Sequence, residues 1–297
     1  MKKITFCIVL FQLSLFAQDM DEMMNQFSEG NNFEVEATYK STWLVLSQTN
    51  ETQNAKDLNF WIAHRFGDIG GEFGGSSTLY GLDVATDLYI GFDYGITDHL
   101  TVGIGRSKYN ETYNGLIKYK LLRQSDKMPV SVTLFDQLAW ITREEFSNNE
   151  FSQESDRISN FFQAVITRKF SPGLSLMLSP GLLMRPDAQL LSTEDQNNLF
   201  ALSMGGRLKL FKRISLLVDY TLVEGLGREA NEELYNPLGI GIEFETGGHV
   251  FSLNFQNSQY IIANNFIPNT SKSWTDGGVR FGFAISRNFS LGKKKNN

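Results

Sequence analysis

Residue types that most often perform catalysis or bind metals are scarce in this chain, which has three histidines and one cysteine among 297 residues. His64, His99 and His249 fall on separate predicted strands or turns, and a catalytic or metal site would require them to converge. Ser252 follows His249 by three residues, so on a strand the two side chains point to opposite faces. We therefore expect no enzymatic activity, no catalytic residue, no metal site and no cofactor.

Charged residues at alternate positions of apolar strands are the stronger functional candidates. Two of them, Asp87 and Asp93, share one strand face but lie roughly 20 Å apart, too far for a paired-carboxylate mechanism. Such charges fit a selective aqueous pore, and they equally fit an internal salt-bridge network that closes the lumen. The predicted pore-lining residues are Asp87, Asp93, Lys118, Lys120, Arg207, Lys209, Asp219, Glu243 and Glu245.

The elements that would position these charges are strands with a period of two. In the segment from Val84 to Ile96, apolar residues such as Leu88 and Ile90 alternate with polar or small residues such as Asp87 and Gly91. The same alternation recurs along the chain. The candidate segments are 33–47, 57–66, 83–96, 99–108, 112–123, 129–142, 158–170, 173–185, 199–211, 213–224, 237–246, 249–258 and 278–289.

Connections between these segments alternate between short and long. Short ones lie near 97–99, 171–173, 212–213 and 246–248, and long polar ones at 144–157, 186–197, 225–236 and 260–277. This pattern is typical of an all-β, antiparallel transmembrane β-barrel with short periplasmic turns and long external loops. Because single-chain bacterial barrels have an even number of strands, we predict twelve, with fourteen as the alternative. The segment 33–47 then lies in the lumen or at the rim, unless 67–82 hides a further strand.

The N-terminus indicates export. Lys2 and Lys3 precede an apolar stretch that ends near Ala17, as in a secretory signal peptide. We predict a signal peptide over 1–17, a polar leader over 18–32, the barrel over 33–291 and a basic tail over 292–297. The formal charge of −6 argues against sequence-independent nucleic-acid binding.

Aromatic residues near strand ends predict contact with the two membrane interfaces, as in the aromatic girdles of membrane barrels. Phe289 also resembles the terminal aromatic residue that the barrel-assembly machinery recognises. Outer-membrane lipid and that machinery are therefore expected partners, besides an unidentified small solute or periplasmic protein. The predicted interface aromatics are Tyr94, Tyr113, Trp140, Tyr220, Phe244 and Phe289.

Two charged residues depart from the alternation. Asp136 and Arg106 both fall on the apolar face, and a β-bulge would turn each inward. Arg106 could instead extend along the wall to the interface. Glycines occupy several inward positions, such as Gly205 and Gly239, which fits either a bend in the wall or the close approach of a leader segment packed inside.

Several motifs together resemble an exported β-barrel family catalogued as domain of unknown function 5777, typical of Bacteroidota-type outer membranes. The resemblance covers about residues 34 to 291 and implies an outer-membrane barrel without implying a reaction. Its motifs are His64-Arg65-Phe66-Gly67, Tyr80-Gly81-Leu82-Asp83-Val84-Ala85, Asp93-Tyr94-Gly95-Ile96-Thr97-Asp98, Thr101-Val102-Gly103-Ile104-Gly105-Arg106-Ser107, Lys118-Tyr119-Lys120-Leu121-Leu122-Arg123-Gln124, Thr246-Gly247-Gly248-His249-Val250-Phe251 and Phe281-Gly282-Phe283-Ala284-Ile285-Ser286-Arg287.

The expected function is a passive channel or small-solute transporter of the outer membrane. The alternative is a closed, non-catalytic barrel that serves as a scaffold or docking partner. The two interpretations differ in the lumen, which is either continuous past Asp93, Lys118 and Glu243 or filled by residues 18–47.

Overall fold

The computed structural model describes residues 34–192, 195–225 and 233–292, and within them twelve antiparallel strands form a closed barrel. Each strand pairs with its neighbours in sequence, and β1 pairs with β12 to close the wall. The strands are β1 Asp57–Asp68, β2 Ala85–Gly95, β3 Leu100–Ser107, β4 Tyr113–Leu122, β5 Ser131–Trp140, β6 Ile158–Lys169, β7 Leu174–Met184, β8 Asn198–Phe211, β9 Ile214–Glu224, β10 Leu238–Glu245, β11 His249–Gln256 and β12 Arg280–Ser290.

Alternation along each strand gives the wall an apolar outer face and a polar inner face. On β2, Ile90 and Phe92 are exposed on the outside, whereas Asp87 and Asp93 are buried inside. On β3, Ile104 is 69% exposed while Thr101 is fully buried. An apolar outer band of this kind is what a lipid environment requires of a barrel.

The two ends of the barrel differ in their connections. At one end, here called the turn end, the connections are 96–99, 123–130, 170–173, 212–213 and 246–248. At the opposite, loop end they are 69–84, 108–112, 141–157, 185–197, 225–237 and 257–279. The alternation of short and long connections is incomplete, because the loop-end connection 108–112 is shorter than the turn-end connection 123–130.

The predicted number of twelve strands is confirmed for the described residues. Residues 67–82 add no further strand: β1 ends at Asp68, and the described loop beyond it holds only the 3₁₀ turn Ser76–Thr78. The extra candidate, 33–47, contributes no wall strand, and its described residues from 34 onward fold into the lumen. The predicted signal peptide (1–17), the leader (18–32) and residues 293–297 of the predicted tail lie outside the described residues.

The expectation that a bulge turns Asp136 inward is wrong. The β5 ladders run without a register shift past this residue, so Asp136 remains on the outer face, where it accepts a hydrogen bond from Asn160 Nδ2 at 3.2 Å. Arg106 also stays outside, as its alternative predicted. Its guanidinium lies 5.5 Å from the ring centre of Tyr113 and 3.6 Å from a Glu111 carboxylate oxygen.

In the part of the chain that the structure describes, regular helix is limited to short turns. The loop between β11 and β12 contains α1, Ala263–Phe266, and all four of its residues are buried. Other 3₁₀ turns are Tyr109–Glu111, Glu154–Arg157 and Asp187–Gln189. Among the residues described, none of the helices has the length and apolar character needed to cross a membrane.

Candidate functional site

The lumen is occupied by the chain itself. Residues 34–56, here called the inner segment, enter at the turn end, where Val35 N–H donates to the carbonyl of Gln124 in the connection 123–130. The segment reverses direction at its tip, residues 44–47, and returns to begin β1. Hydrogen bonds from Leu44 N to Ser47 O and from Thr49 N to Thr42 O, both 2.9 Å, close this hairpin.

The tip is held by the carboxylate of Asp219 on β9. Three successive backbone N–H groups, of Val45, Leu46 and Ser47, donate to Asp219 Oδ2 at 3.3, 2.9 and 2.7 Å. The Ser47 hydroxyl donates to Oδ1 at 2.9 Å. A fully buried carboxylate is costly unless hydrogen bonds replace its hydration, and the tip supplies four.

Cationic side chains of the wall hold carbonyl groups of the same hairpin. Lys118 Nζ on β4 donates to the carbonyls of Thr42 at 2.9 Å and Thr49 at 3.2 Å. Arg65 Nη2 on β1 donates to the carbonyl of Val45 at 2.9 Å. Both cations are almost fully buried, so their charge depends on these acceptors and on neighbouring carboxylates.

Apolar contacts complete the seat of the hairpin. Trp43 stacks on Trp61 of β1 with 4.3 Å between ring centroids and 7° between planes. Glycines in the wall make room for the tip: a Cβ at position 205 would lie 2.4 Å from Leu44 Cδ2, and one at 239 would lie 2.5 Å from Val45 Cγ1. These inward glycines therefore permit the close approach of a packed segment, one of the two interpretations offered by the sequence.

A second segment fills the lumen from the loop end. Residues 257–279, here called the inserted loop, place Ile261, Ile262 and Phe266 in the interior at 2% exposure or less. Asp87 on β2 fixes the loop by accepting the Ile261 N–H at 3.0 Å, and it also accepts the hydroxyl of Ser107 at 2.8 Å.

The two segments meet in the middle of the barrel. Trp43 shares one buried apolar cluster with Ile261 and Ile262, and Leu46 shares another with Phe266. The cavity that remains between them has a volume of about 10 Å³, room for about one water molecule. Within the described residues, the inner segment and the inserted loop together therefore close the lumen at the level of Lys118 and Asp93.

A chain of side-chain hydrogen bonds links the tip to the base of the inserted loop. Arg65, which holds Val45, also donates through Nη1 to Gln256 Oε1 at 2.8 Å. Gln256 Nε2 donates to the carbonyl of Arg280, and Arg280 Nη1 donates to the carbonyl of Asn257, where the loop begins. Movement of either segment would disturb groups that hold the other.

An open pocket of about 510 Å³ lies at the turn end beneath the hairpin. Two of its cations are paired: Lys120 lies 3.4 Å from Glu51, and Lys40 lies 3.6 Å from Glu245. Nearby, Arg207 Nε donates to Glu243 at 2.7 Å and also pairs with Glu245. The pocket is open to solvent at the turn end, and the hairpin forms its inner limit.

The structure brings most of the predicted pore-lining residues to the inner face. Seven are buried there, Glu245 is half-buried at the turn end, and Lys209 is exposed at the rim. Asp87, Lys118, Lys120 and Asp219 contact the lumen segments, Arg207 pairs with Glu243 and Glu245, and Asp93 lies beside Gly103. Their role in permeation stays a prediction.

Sequence reasoning missed Arg65, Trp61 and Arg280. Trp61 and Ala63 lie on the inner face of β1 beside Arg65. Because these two residues are apolar, the sequence pattern did not identify this face as the polar, inward one. The signal available was the alternation itself, since Asn59 and Arg65 occupy the same face.

The predicted interface aromatics lie on the outer side of the wall at both ends. Tyr94, Phe244 and Phe289 are close to the turn end, and Tyr113, Trp140 and Tyr220 lie toward the loop end. Tyr113 and Trp140 are direct partners on β4 and β5. This placement agrees with girdles at two interfaces, which remain a prediction.

The histidines lie apart, on the outer face or the rim. His64 stacks on Phe283, His99 Nδ1 lies 3.1 Å from the Lys120 carbonyl oxygen, and His249 stacks on Phe251. In the described ranges, no three His, Cys, Asp or Glu side chains group as metal ligands. Ser252 faces the interior and His249 does not, as the strand period predicted.

Comparison with known proteins identifies a family. The model of a family described as a membrane-bound β-barrel domain, domain of unknown function 5777, matches residues 39–289. No curated protein matches the sequence.

Solved structures include distant likenesses. An outer-membrane channel of Pseudomonas putida F1 is 11% identical, with 81% of this chain and 98% of that one covered and a TM-score of 0.49. The outer membrane protein Omp33 of Acinetobacter baumannii is 8% identical, with 79% and 98% covered and a TM-score of 0.40. OmpT of Vibrio cholerae is 12% identical, with 77% and 76% covered and a TM-score of 0.34. These values add nothing to the fold that the strand pairing establishes.

Proposed function

Because the chain belongs to the membrane-bound β-barrel family catalogued as domain of unknown function 5777, we propose that it is an outer-membrane channel for small polar solutes, closed by its own inner segment and inserted loop. An even number of antiparallel strands in a single chain is the form of bacterial outer-membrane barrels. The predicted signal peptide supports the same location. In that membrane the turn end faces the periplasm and the loop end faces outward.

One observation carries the proposal: the lumen is closed by a segment that the wall does not need. The inner segment pairs with the wall through side chains and isolated contacts, and all twelve strands pair with one another without it. Its removal from the lumen would leave the wall ladder intact. The inner face would then expose carboxylates, cations, hydroxyls and amides, a lining suited to water and polar solutes.

The proposal includes no catalytic step. Its partners are outer-membrane lipids around the apolar band, the barrel-assembly machinery during insertion, and the permeating solute. Opening requires the inner segment to leave the seat formed by Asp219, Lys118 and Trp61.

A reversible lock tests this function. Val45→Cys with Gly239→Cys places two thiols across the interface, because a Cβ at 239 would lie 3.1 Å from Val45 Cβ. A disulfide needs about 3.8 Å between these atoms, which a shift of under an ångström provides. Cys7, the only cysteine in the sequence, is replaced by serine in all variants.

Planar-bilayer conductance in KCl is the measurement. We expect intermittent current from the reduced double variant, its loss on oxidation and its return with dithiothreitol, while each single variant conducts in both states. Equal current before and after oxidation would show that ions bypass the inner segment and would contradict the proposal.

The second candidate, a closed barrel that acts as a scaffold, is favoured by the nearly complete filling of the lumen, with about 10 Å³ left between the two segments. Under this function, folded protein with reduced thiols carries no current at any voltage. Such a result would contradict the channel function and support the scaffold function.

A further inference from the structure

Side chains of the wall hold the inner segment mainly by hydrogen bonds to main-chain atoms of that segment. Besides Asp219, Lys118 and Arg65, four further wall side chains form hydrogen bonds of this kind. Thr133 Oγ1 donates to Asn50 O at 2.8 Å, Ser175 Oγ to Thr38 O at 2.8 Å and Lys169 Nζ to Ala37 O at 3.0 Å, while Thr101 Oγ1 accepts the Gln53 N–H at 2.8 Å. Seven strands of the wall contribute to this set.

Groups arranged in this way recognise a peptide by its backbone. The Asp219 carboxylate accepts three successive N–H groups, and Lys118 Nζ reaches carbonyls on both arms of the hairpin. Only a polypeptide offers successive N–H donors and carbonyl acceptors at this spacing, whereas a sugar or an inorganic ion does not.

We propose that the lumen is a peptide-binding site whose resident occupant is the inner segment, and that short peptides are the class of solute that competes for it. This rests on the proposed channel function, since such a peptide must displace the segment in order to pass. The inner segment then acts as an internal mimic of the solute.

The apolar part of the seat gives the site a side-chain preference. The indole of Trp61 stacks against Trp43, and Tyr89 lies beside both rings with centroids 5.1 and 5.9 Å away. The space above Gly205 and Gly239 receives the aliphatic side chains that follow. We therefore infer a preference for an aromatic residue followed by aliphatic ones.

Displacement of the inner segment by peptide can be read in the full-length chain. Cys7→Ser with Val45→Cys puts one thiol at the tip, where Val45 is 3% exposed, so labelling by a maleimide in liposomes is slow while the tip is seated. The probe is the capped octapeptide TWLVLSQT, the sequence of residues 42–49. We expect it to raise the labelling rate saturably, by roughly tenfold, because bound peptide leaves residue 45 outside its seat.

The matched control is the same octapeptide N-methylated at the three amides that correspond to residues 45–47. It keeps every side chain but loses the three backbone N–H donors to Asp219 and retains only the serine hydroxyl, so we expect a much smaller rise in labelling. A second peptide, with its aromatic residue replaced by serine, should act only at higher concentration. An oligosaccharide of similar mass should have no effect.

Equal acceleration by the N-methylated peptide or by the oligosaccharide would overturn the proposal, as would the absence of any rise at millimolar octapeptide. These outcomes are separate from the test of the channel. If current is abolished by the disulfide lock while peptide leaves labelling unchanged, the channel stands and the peptide class fails. If peptide accelerates labelling in a barrel without current, the channel fails.

Discussion

Ser47 donates twice to Asp219, through its backbone N–H to Oδ2 at 2.7 Å and through its hydroxyl to Oδ1 at 2.9 Å. Asp219 lies on β9, in the middle of the wall, and Ser47 is at the end of the tip. The carboxylate has exchanged its hydration for donors that all belong to the inner segment. Release of the segment would return Asp219 to water, so the closed and open states each provide it with hydrogen bonds.

Asp219→Asn should therefore open the barrel more often. The variant removes the charge and leaves one acceptor oxygen for the tip, and hydrogen bonds to charged groups contribute about 1.5–3 kcal/mol each. We expect the ratio of open to closed time in bilayer recordings to rise by roughly tenfold or more.

Ser215→Ala is the control for this variant. Ser215 lies on the same strand and inner face as Asp219, and its hydroxyl has no hydrogen-bond partner in the described part of the chain. It should conduct like the parent protein. An Asp219→Asn barrel with unchanged gating would mean that the carboxylate does not hold the segment closed.

Gly239→Val should act as a wedge at the tip. A Cβ at this position would already lie 2.5 Å from Val45 Cγ1, and the two branched side chains cannot both keep their places. Overpacking of this kind costs about 1–3 kcal/mol. It destabilises the closed state alone, because the two side chains are in contact only while the tip is in place. Current should become more frequent than in the parent.

Gly115→Val is its counterpart on β4, where nothing lies within 4 Å of the added Cβ. We expect it to leave the current unchanged. If Gly239→Val also conducts like the parent, the tip accommodates the added side chain without leaving its place, and the short distance at Gly239 does not control opening.

Phe266→Ala tests the coupling of the two lumen segments. Phe266 belongs to the inserted loop and packs in the same buried cluster as Leu44 and Leu46. Truncation of a buried phenylalanine costs about 3–5 kcal/mol. We expect backbone amides of residues 42–49 to exchange hydrogen for deuterium at least tenfold faster, measured by mass spectrometry.

Phe73→Ala provides the comparison, because Phe73 is exposed in the loop 69–84, away from the inner segment. Exchange in 42–49 should not change in this variant. Unchanged exchange in Phe266→Ala as well would show that the inner segment is seated independently of the inserted loop.

Much of the wall follows from the sequence because it depends on a local rule. Alternation of apolar and polar residues fixes which side chains face lipid. The even strand number of single-chain bacterial barrels then separated 33–47 from the wall strands. The partners of the inward charges could not be predicted in the same way. Asp219 and Asp87 bind backbone N–H groups more than 170 residues away, and a main-chain donor leaves no mark on the residue types.

Asp136 shows the limit of the alternation rule. An acidic residue on an apolar face suggested a bulge, but the structure satisfies it with a neighbour instead: Asn160, on the adjacent strand, donates to its carboxylate. Arg65 shows the opposite case, since its neighbours Trp61 and Ala63 obscured a polar position that contacts both lumen segments.

Loop 141–157 should lose order only in strong acid. The hydrogen bonds from Arg143, with a further one from the backbone of Phe146, hold the pKa of the Glu150 carboxyl at about 2, against an ordinary value of about 4.3. Since the folded-state pKa is the lower one, the stabilisation is present above about pH 4.3 and is lost as the pH falls through about 2.

Cleavage by pepsin after the exposed Phe146 can report this order. We expect Glu150→Gln to be cleaved faster than the parent at pH 4–5 and at the same rate near pH 2, while Glu144→Gln follows the parent throughout. A difference between Glu150→Gln and the parent that persists undiminished at pH 2 would contradict the assigned role of the carboxylate.

Replacement of Asp136 by leucine should stabilise the barrel in lipid bilayers. Asp136 lies midway along β5 on the outer face, where the hydrogen bond from Asn160 must offset the cost of placing a carboxylate next to hydrocarbon. Charged residues on the lipid face are destabilising near the membrane midplane, less so for acidic residues than for basic ones. We expect Asp136→Leu to raise the free energy of unfolding by on the order of 1 kcal/mol, measured by urea titration in liposomes.

Asp136→Leu combined with Asn160→Leu should raise the free energy of unfolding further, because the single variant leaves the Asn160 amide without its acceptor. If both variants are less stable than the parent, the pair contributes more than an apolar surface at this position, and this stretch of β5 contacts something other than lipid.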